Sequence, residues 1–267
     1  MKLLDPIVAW RDDISQIRRD IHAHPELAFE EFRTADVVAA KLEEWGIEIH
    51  RGLGGTGVVG IIRGDRPGER AVGLRADMDA LPMQEANTFA HASKHAGKMH
   101  ACGHDGHTAM LLAAARYLAQ HRDFAGTVYV IFQPAEEGGG GAKRMIDDGL
   151  FTRFPMEAVF GMHNWPGMAP GQFGVTAGPI MASSNEFPIV IKGKGTHAGM
   201  PNLGIDPVMA AVQLAQSLQT IITRNRNPLD AAVLSITQIH AGSADNVVPT
   251  HAELRGTVRT SRWRCWT

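Results

Sequence analysis

The sequence has few cysteines, almost no net charge and no long apolar run. Its 267 residues include two cysteines, Cys102 and Cys265, which excludes a disulfide framework. Lysine plus arginine (26) nearly balances aspartate plus glutamate (28). A net charge of −2 gives no electrostatic case for binding nucleic acid or an anionic membrane. The most apolar helical stretch, Ala109 to Ala119, is too short to cross a bilayer and carries Arg116. Asp5, Asp12 and Asp13 stand where a signal peptide needs an apolar core, so a cytoplasmic location is expected. Glycine (29) and proline (14) are too few for a collagen or a low-complexity chain, and no internal repeat is visible. What remains is an ordinary globular composition, 44% apolar and 20% charged, long enough for about 1.8 domains. Thirteen histidines are the exception, and histidine is both a common metal ligand and a general acid or base.

Apolar spacing predicts a helix over Leu3–His22, with Ile7, Trp10, Ile14, Ile17 and Ile21 three or four apart. A second is predicted over Thr34–Trp45, with Gly46 as its stop. Gly57–Ile62, Ala71–Leu74, Thr127–Phe132 and Ala158–Phe160 are short continuous apolar runs, as in strands buried on both faces. Helical stretches lie between them, one from Asp105 or Thr108 to Gln120 and one opening in Gly138–Gly149. Alternation of this kind argues for an α/β sheet covered on both sides. Near residue 183 the texture changes. Asn185–Lys192, Ala232–Ile239 and Ala252–Arg259 read as strands, and Asp206–Thr223 as a long helix with Pro207 in its first turn. We expect a catalytic domain over 1–182, a small α+β unit over 183–260 and an atypical tail over 261–267. The tail, which ends SRWRCWT, has neither strand nor helix periodicity.

Four clusters carry chemistry. In RADMDALP (Arg75–Pro82), Asp77 and Asp79 end a buried strand, where α/β folds place their sites. Residues two apart share a strand face, although a solvated turn would use the same residues. HACGHDGH (His100–His107) offers Cys102, His104 and His107 just before a helix. Capping would account for Asp105 but not for the other three together, and a cysteine nucleophile would lack an orienting group. QPAEEGGGGA (Gln133–Ala142) places Glu136 and Glu137 after a third strand. Adjacent glutamates there point in different directions, so one can bind metal while the other acts as base; a helix-opening surface turn is the alternative. His163, in FGMHNWPGMAPG, follows a fourth strand. A set of thiolate, imidazole and carboxylate favours zinc, manganese, cobalt or nickel over calcium or magnesium.

These motifs, with RRDIHAHPELAFEE, GKGTHAGMP and DNVVPTHAELRGTVR, run in order from residue 14 to 259. Together they resemble the hippurate hydrolase, aminoacylase and indoleacetyl-amino-acid hydrolase branch of the co-catalytic metallopeptidases. The resemblance implies a two-metal α/β catalytic domain, with a mixed sheet flanked by helices, and an inserted α+β lid or dimerisation domain. It implies Cys102, His104, Glu137 and His163 as metal ligands and Glu136 as catalytic base. Asp79 would support a site residue. His197 would help polarise the scissile carbonyl, and Asn246 would lie near the substrate. The implied substrate is a small N-acyl amino acid, cleaved to a carboxylate and a free amino acid, and the full-length form would be a homodimer or homotetramer through the lid. Family members run on beyond the point where this match stops and supply one further histidine ligand. A C-terminally truncated member is therefore expected, with an inactive metal-binding remnant as the alternative to an active enzyme.

Overall fold

The computed structural model of the chain describes residues 4–261. It divides into two compact units, residues 1–171 and residues 172–267. The tail expected over 261–267 lies, apart from Ser261, outside the described residues, as does Leu3.

The first unit begins with α1 (Asp5–Ala9), α2 (Arg11–Ala23) and α3 (Phe32–Glu44). The single helix expected over Leu3–His22 is therefore two. The chain leaves helical geometry at Trp10 (φ −90°, ψ 5°), whose ring takes the Arg116 guanidinium 4.3 Å from its centroid. Asp12 and Asp13 then sit in the first turn of α2, where the helix dipole favours acids. Next come β1 (Glu48–Leu53), β2 (Gly57–Arg63), β3 (Arg66–Asp77), α4 (His104–Gln120), β4 (Ala125–Gln133), α5 (Gly141–Asp147), α6 (Leu150–Arg153) and β5 (Ala158–Gly161).

The five strands form one mixed sheet in the order β1-β2-β4-β3-β5. The β1/β2 and β2/β4 pairs are antiparallel, and β3 is parallel to both β4 and β5. Because side chains alternate along a strand, the apolar runs of β2 and β4 each feed two cores. Val58, Ile62, Val130 and Phe132 pack with Val38 and Leu42 of α3 and Leu111 and Leu112 of α4. Val59, Ile61 and Ile131 pack on the other side with Met145, Leu150 and Phe154. The four apolar runs are all strands, as expected, but β5 differs in being exposed along its whole length. Strand β1 went unanticipated because EIHRGL has no apolar run. It is half exposed and, among the described residues, pairs with β2 alone.

The second unit holds β6 (Ser183–Lys192), β7 (Thr196–His197), α7 (Pro207–Thr220), β8 (Ala232–Ala241), β9 (Val247–Val248) and β10 (His251–Thr260). Strands β6, β10 and β8 make an antiparallel sheet in that order, and β7 pairs with β9. Helix α7 starts where the Asp206 carboxylate accepts the Val208 and Met209 amides, with Pro207 at its first position. It packs Ala211, Leu214 and Ala215 on Ala252, Leu254, Ile189, Ile191 and Ile236. Beyond Thr220 the final turn, Ile221–Asn225, widens to π geometry, so the helix expected to Thr223 ends slightly earlier. Among the described residues no helix is long and apolar enough to cross a membrane.

Candidate metal centre

The register of the parallel strands assembles the site. Asp77 at the end of β3 pairs with Gln133 at the end of β4, and Arg75 pairs with Gly161 at the end of β5. Three chains therefore leave the sheet at one level, the position where α/β sheets bind ligands. Asp79, Glu136, Glu137 and His163 follow those ends by only a few residues. The fourth contributor is the start of α4. Gly103 precedes it with φ +91°, and a Cβ there would lie 2.5 Å from the Asn164 Oδ1. Only glycine suits both the left-handed backbone and the close approach.

His104 is the hub. It is fully buried, and its Nδ1 lies 3.2 Å from the Asp79 Oδ1. Among the described residues its Nε2 has no hydrogen-bond partner, yet it faces the Asp77 Oδ2 at 3.7 Å, the Glu136 Oε2 at 3.9 Å and the Glu137 Oε1 at 3.9 Å. Cys102 Sγ lies 3.3 Å from the His163 Nε2. Three groups bring ligand-type atoms within 4.8 Å of one another: Cys102, His104 and His163; His104, Glu136 and Glu137; and Asp77, His104 and His107. Of the eight site residues singled out from the sequence, Cys102, His104, Glu136, Glu137 and His163 meet in one place, with Asp79 directly behind them.

The electrostatics are those of a site built for a cation. Burial, the hydrogen bond to Glu137 and the charges of Glu137, Glu136 and Asp77 push the Cys102 thiol up to about 12. Burial and the neighbouring Glu137 charge also raise Glu136. Asp77 is held down at about 2, because its bond to His107 and the charges of Arg75, His104 and His107 outweigh burial. Asp79 is likewise lowered against burial, by His104 and by the backbone amides of Glu137 and Glu136. His104 is raised, its burial overcome by Asp79, Asp77 and Glu137. A buried imidazole nitrogen without a partner, beside one thiol and several carboxylates, fits a divalent ion of the borderline or transition type.

His107 and Asp77 entered the sequence reading only as members of their clusters. In the structure His107 Nδ1 lies 2.7 Å from the Asp77 Oδ1, and its Nε2 accepts the Asn164 amide at 3.0 Å. With both nitrogens engaged, His107 is a brace between β3 and the His163 loop. Its three-residue offset from His104 puts the two on one helix face, a signal the sequence offered for it. Arg75 was not anticipated. It contacts Asp77 at 2.7 Å and donates to the Gln133 Oε1 at 2.8 Å.

His197 and Asn246 belong to the second unit. The His197/Val247 strand pair and the Ala198 amide, which donates to the Asn246 carbonyl at 3.0 Å, bring them together. Both are exposed. His197 lines a cavity of about 800 Å³ with His240, His251 and Glu253. Its Nδ1 accepts the Gly199 amide at 3.0 Å.

The chain is similar to known proteins. A hippurate hydrolase of Campylobacter jejuni is 46% identical over 259 residues, 97% of this chain and 67% of its own. An N-acetylcysteine deacetylase of Bacillus subtilis is 47% identical over 254 residues, 94% of this chain and 66% of its own. The crystal structure of a Bacillus subtilis dinuclear metal binding peptidase from the M20 family superposes with a TM-score of 0.77 at 42% identity, covering 97% of this chain and 67% of that one. The chain thus spans about two thirds of the length of these relatives. The sequence pattern of peptidase family M20/M25/M40 matches residues 73–261. With that match and relatives at this identity, the chain belongs to peptidase family M20/M25/M40.

Proposed function

We propose that the chain carries the metal-binding half of an amidohydrolase acting on small N-acyl amino acids, of the hippurate or N-acetyl type. One observation carries the reading: adjacent Glu136 and Glu137 each place an oxygen 3.9 Å from the same unpartnered Nε2 of His104. Two relatives named for hippurate and for N-acetylcysteine support the substrate class.

Cys102, His104, Glu137 and His163 would hold two divalent ions, zinc, manganese, cobalt or nickel. When bound, such ions supply Lewis acidity and make water nucleophilic near neutral pH. The rest falls to side chains. The Asp79 carboxylate accepts a hydrogen bond from the Nδ1–H of His104, which leaves the Nε2 lone pair free for the site. Glu136 takes a proton from the attacking water and passes it to the leaving nitrogen. Its raised pKa suits a group that must accept and then release a proton. His197 accepts the Gly199 amide at Nδ1, so its neutral form carries the proton on Nε2 and can donate to a scissile carbonyl oxygen. Asn246 would contact the substrate.

We read residues 1–182 as the catalytic domain and 183–260 as a lid through which the full-length form pairs into a homodimer or homotetramer. We place the protein in the cytoplasm, where Cys102 stays reduced. The test is metal analysis joined to a hydrolysis screen. The chain is loaded with zinc, manganese or cobalt and offered N-benzoyl and N-acetyl amino acids alongside dipeptides. Cleavage of the acyl amino acids ahead of the dipeptides is expected, and the opposite preference overturns the substrate class.

A further inference from the structure

Among the described residues, two that are not glycine have left-handed backbone: Phe29 (φ 63°) and Ala135 (φ 50°). A residue with a Cβ enters that region at a cost and stays only where its surroundings over-determine it. Ala135 directly precedes Glu136 and is fully buried. The loop folds back tightly on it. The Gly141 amide donates to the Ala135 carbonyl at 3.0 Å, and a Cβ on Gly139 would lie 2.6 Å from the Ala135 Cβ.

What holds both strained residues is one side chain, Glu31, at the entrance to α3. Its Oε1 accepts the Ala135 amide at 2.8 Å and the Phe29 amide at 3.0 Å. Its Oε2 accepts the Thr56 hydroxyl at 2.5 Å. Glu31 is 0% exposed, and among the described residues no cation pairs with it. Burial accordingly pushes its pKa up, against these three donors and its own amide. A buried carboxylate without a counter-charge is costly, so its place here calls for a reason beyond packing.

The reason lies on the other side of Glu136. The Glu137 amide donates to the Asp79 Oδ2 at 2.8 Å. The glutamate pair is therefore suspended between two buried carboxylates, with Glu31 holding the residue before Glu136 and Asp79 holding Glu137 by its amide. Asp79 also orients His104. Among the described residues the side-chain bonds of Glu31 go to the Ala135 and Phe29 amides and to Thr56, and to no ligand-type side chain.

We propose that Glu31 is a positioning residue whose carboxylate holds Ala135 in left-handed backbone and thereby aims Glu136 and Glu137 into the site. This rests on the reading of that pair as base and ligand. Reach, rather than charge, is what the geometry demands, because all three partners are uncharged donors. A glutamine at this position keeps an oxygen for the Ala135 and Phe29 amides, and the Thr56 hydroxyl can turn to accept from its amide group. An aspartate keeps the charge but withdraws the oxygens by one methylene.

The experiment compares Glu31→Asp with Glu31→Gln by two readouts. The first is cobalt(II) affinity, from titration of the visible absorption. Glu31→Asp should weaken it by about tenfold or more, as loss of an outer-shell partner does, while Glu31→Gln stays close to the unsubstituted chain. The second is amide exchange at Ala135, which needs no metal and should accelerate in Glu31→Asp only. Circular dichroism confirms that both variants are folded at the temperature used. A residue with a merely structural role would lower the melting temperature and leave cobalt affinity and Ala135 exchange in place, and that result overturns the proposal. So does a larger loss in Glu31→Gln than in Glu31→Asp. If the unsubstituted chain takes up no cobalt while Ala135 exchange still accelerates in Glu31→Asp, the reading of the glutamate pair fails and the hold of Glu31 on Ala135 stands.

Discussion

The two units present functional side chains in opposite ways. In residues 1–171 the hub of the metal centre is buried and its orientation is set by a buried partner, as with Asp79 behind His104; His107 braces the loop that carries His163. In residues 172–267, His197 on the two-residue strand β7 and Asn246 in the turn before β9 are exposed, and the Gly199 amide holds the imidazole. The difference fits the tasks proposed for the two sets. Several like charges can be gathered around an ion only if the surrounding structure pins them. A group that meets a substrate must first be reachable by it.

If that contrast is correct, substitutions in the two units separate by readout. Glu136→Ala should have the largest effect. Loss of a general base costs about 10²–10⁴-fold in hydrolysis, here toward the upper end because the same group activates the nucleophile, with metal content retained. His197→Ala should cost about 10²–10³-fold in hydrolysis, the range for an oxyanion donor, with no change in cobalt affinity. Asp79→Ala should do the reverse at the metal, weakening affinity by about 10–100-fold, because it frees both the His104 ring and the Glu137 amide. A variant of Asp79 that binds metal normally would remove the distinction between the units.

Gly103→Ala tests the pinning by backbone alone. Left-handed strain of about 1–3 kcal/mol adds to the contact with Asn164, so chemical denaturation should show at least that loss. The smallest effect concerns pH. His22 lies between Asp105 (Nδ1, 3.0 Å) and Glu85 (Nε2, 3.2 Å). The Asp105 bond, with Glu85, raises its pKa against the effect of burial. A raised folded pKa gives stability that is fully present below the unfolded value near 6.5 and is lost as pH rises through the folded value. Asp105, held near 2 by His22, His100 and Arg18 against burial, contributes stability lost as pH falls toward that value. Unfolding free energy followed from pH 5 to 9 should decline on the alkaline side, and His22→Asn should flatten that decline.

Much of this was legible in the sequence, because β2 to β5 are short apolar runs and the donors follow their ends within a few positions. GVVGIIR and AGTVYVIFQ announce themselves as strands by their continuous apolar runs. Glu136, Glu137 and His104 announce themselves by spacing. The register that levels Asp77 with Gln133, and so gathers the site, is a tertiary fact with no local signal. Strand β1 was missed for lack of an apolar run. The break at Trp10 was missed because apolar spacing continues across it. Arg75 and Glu31 were missed as functional residues for a shared reason. Each has a partner far along the chain, Glu31 in Ala135 and Arg75 in Gln133, and nothing in the local pattern distinguishes such a charge from a solvated one.

The central claim is that Cys102, His104, Glu137 and His163 hold metal together, and sulfur is its sharpest marker. X-ray absorption spectroscopy of the zinc-loaded chain reads that directly. The account predicts a sulfur shell at about 2.3 Å beside nitrogen and oxygen neighbours, abolished in Cys102→Ser with zinc still present. Stoichiometric zinc surrounded by nitrogen and oxygen alone in the unsubstituted chain would contradict it.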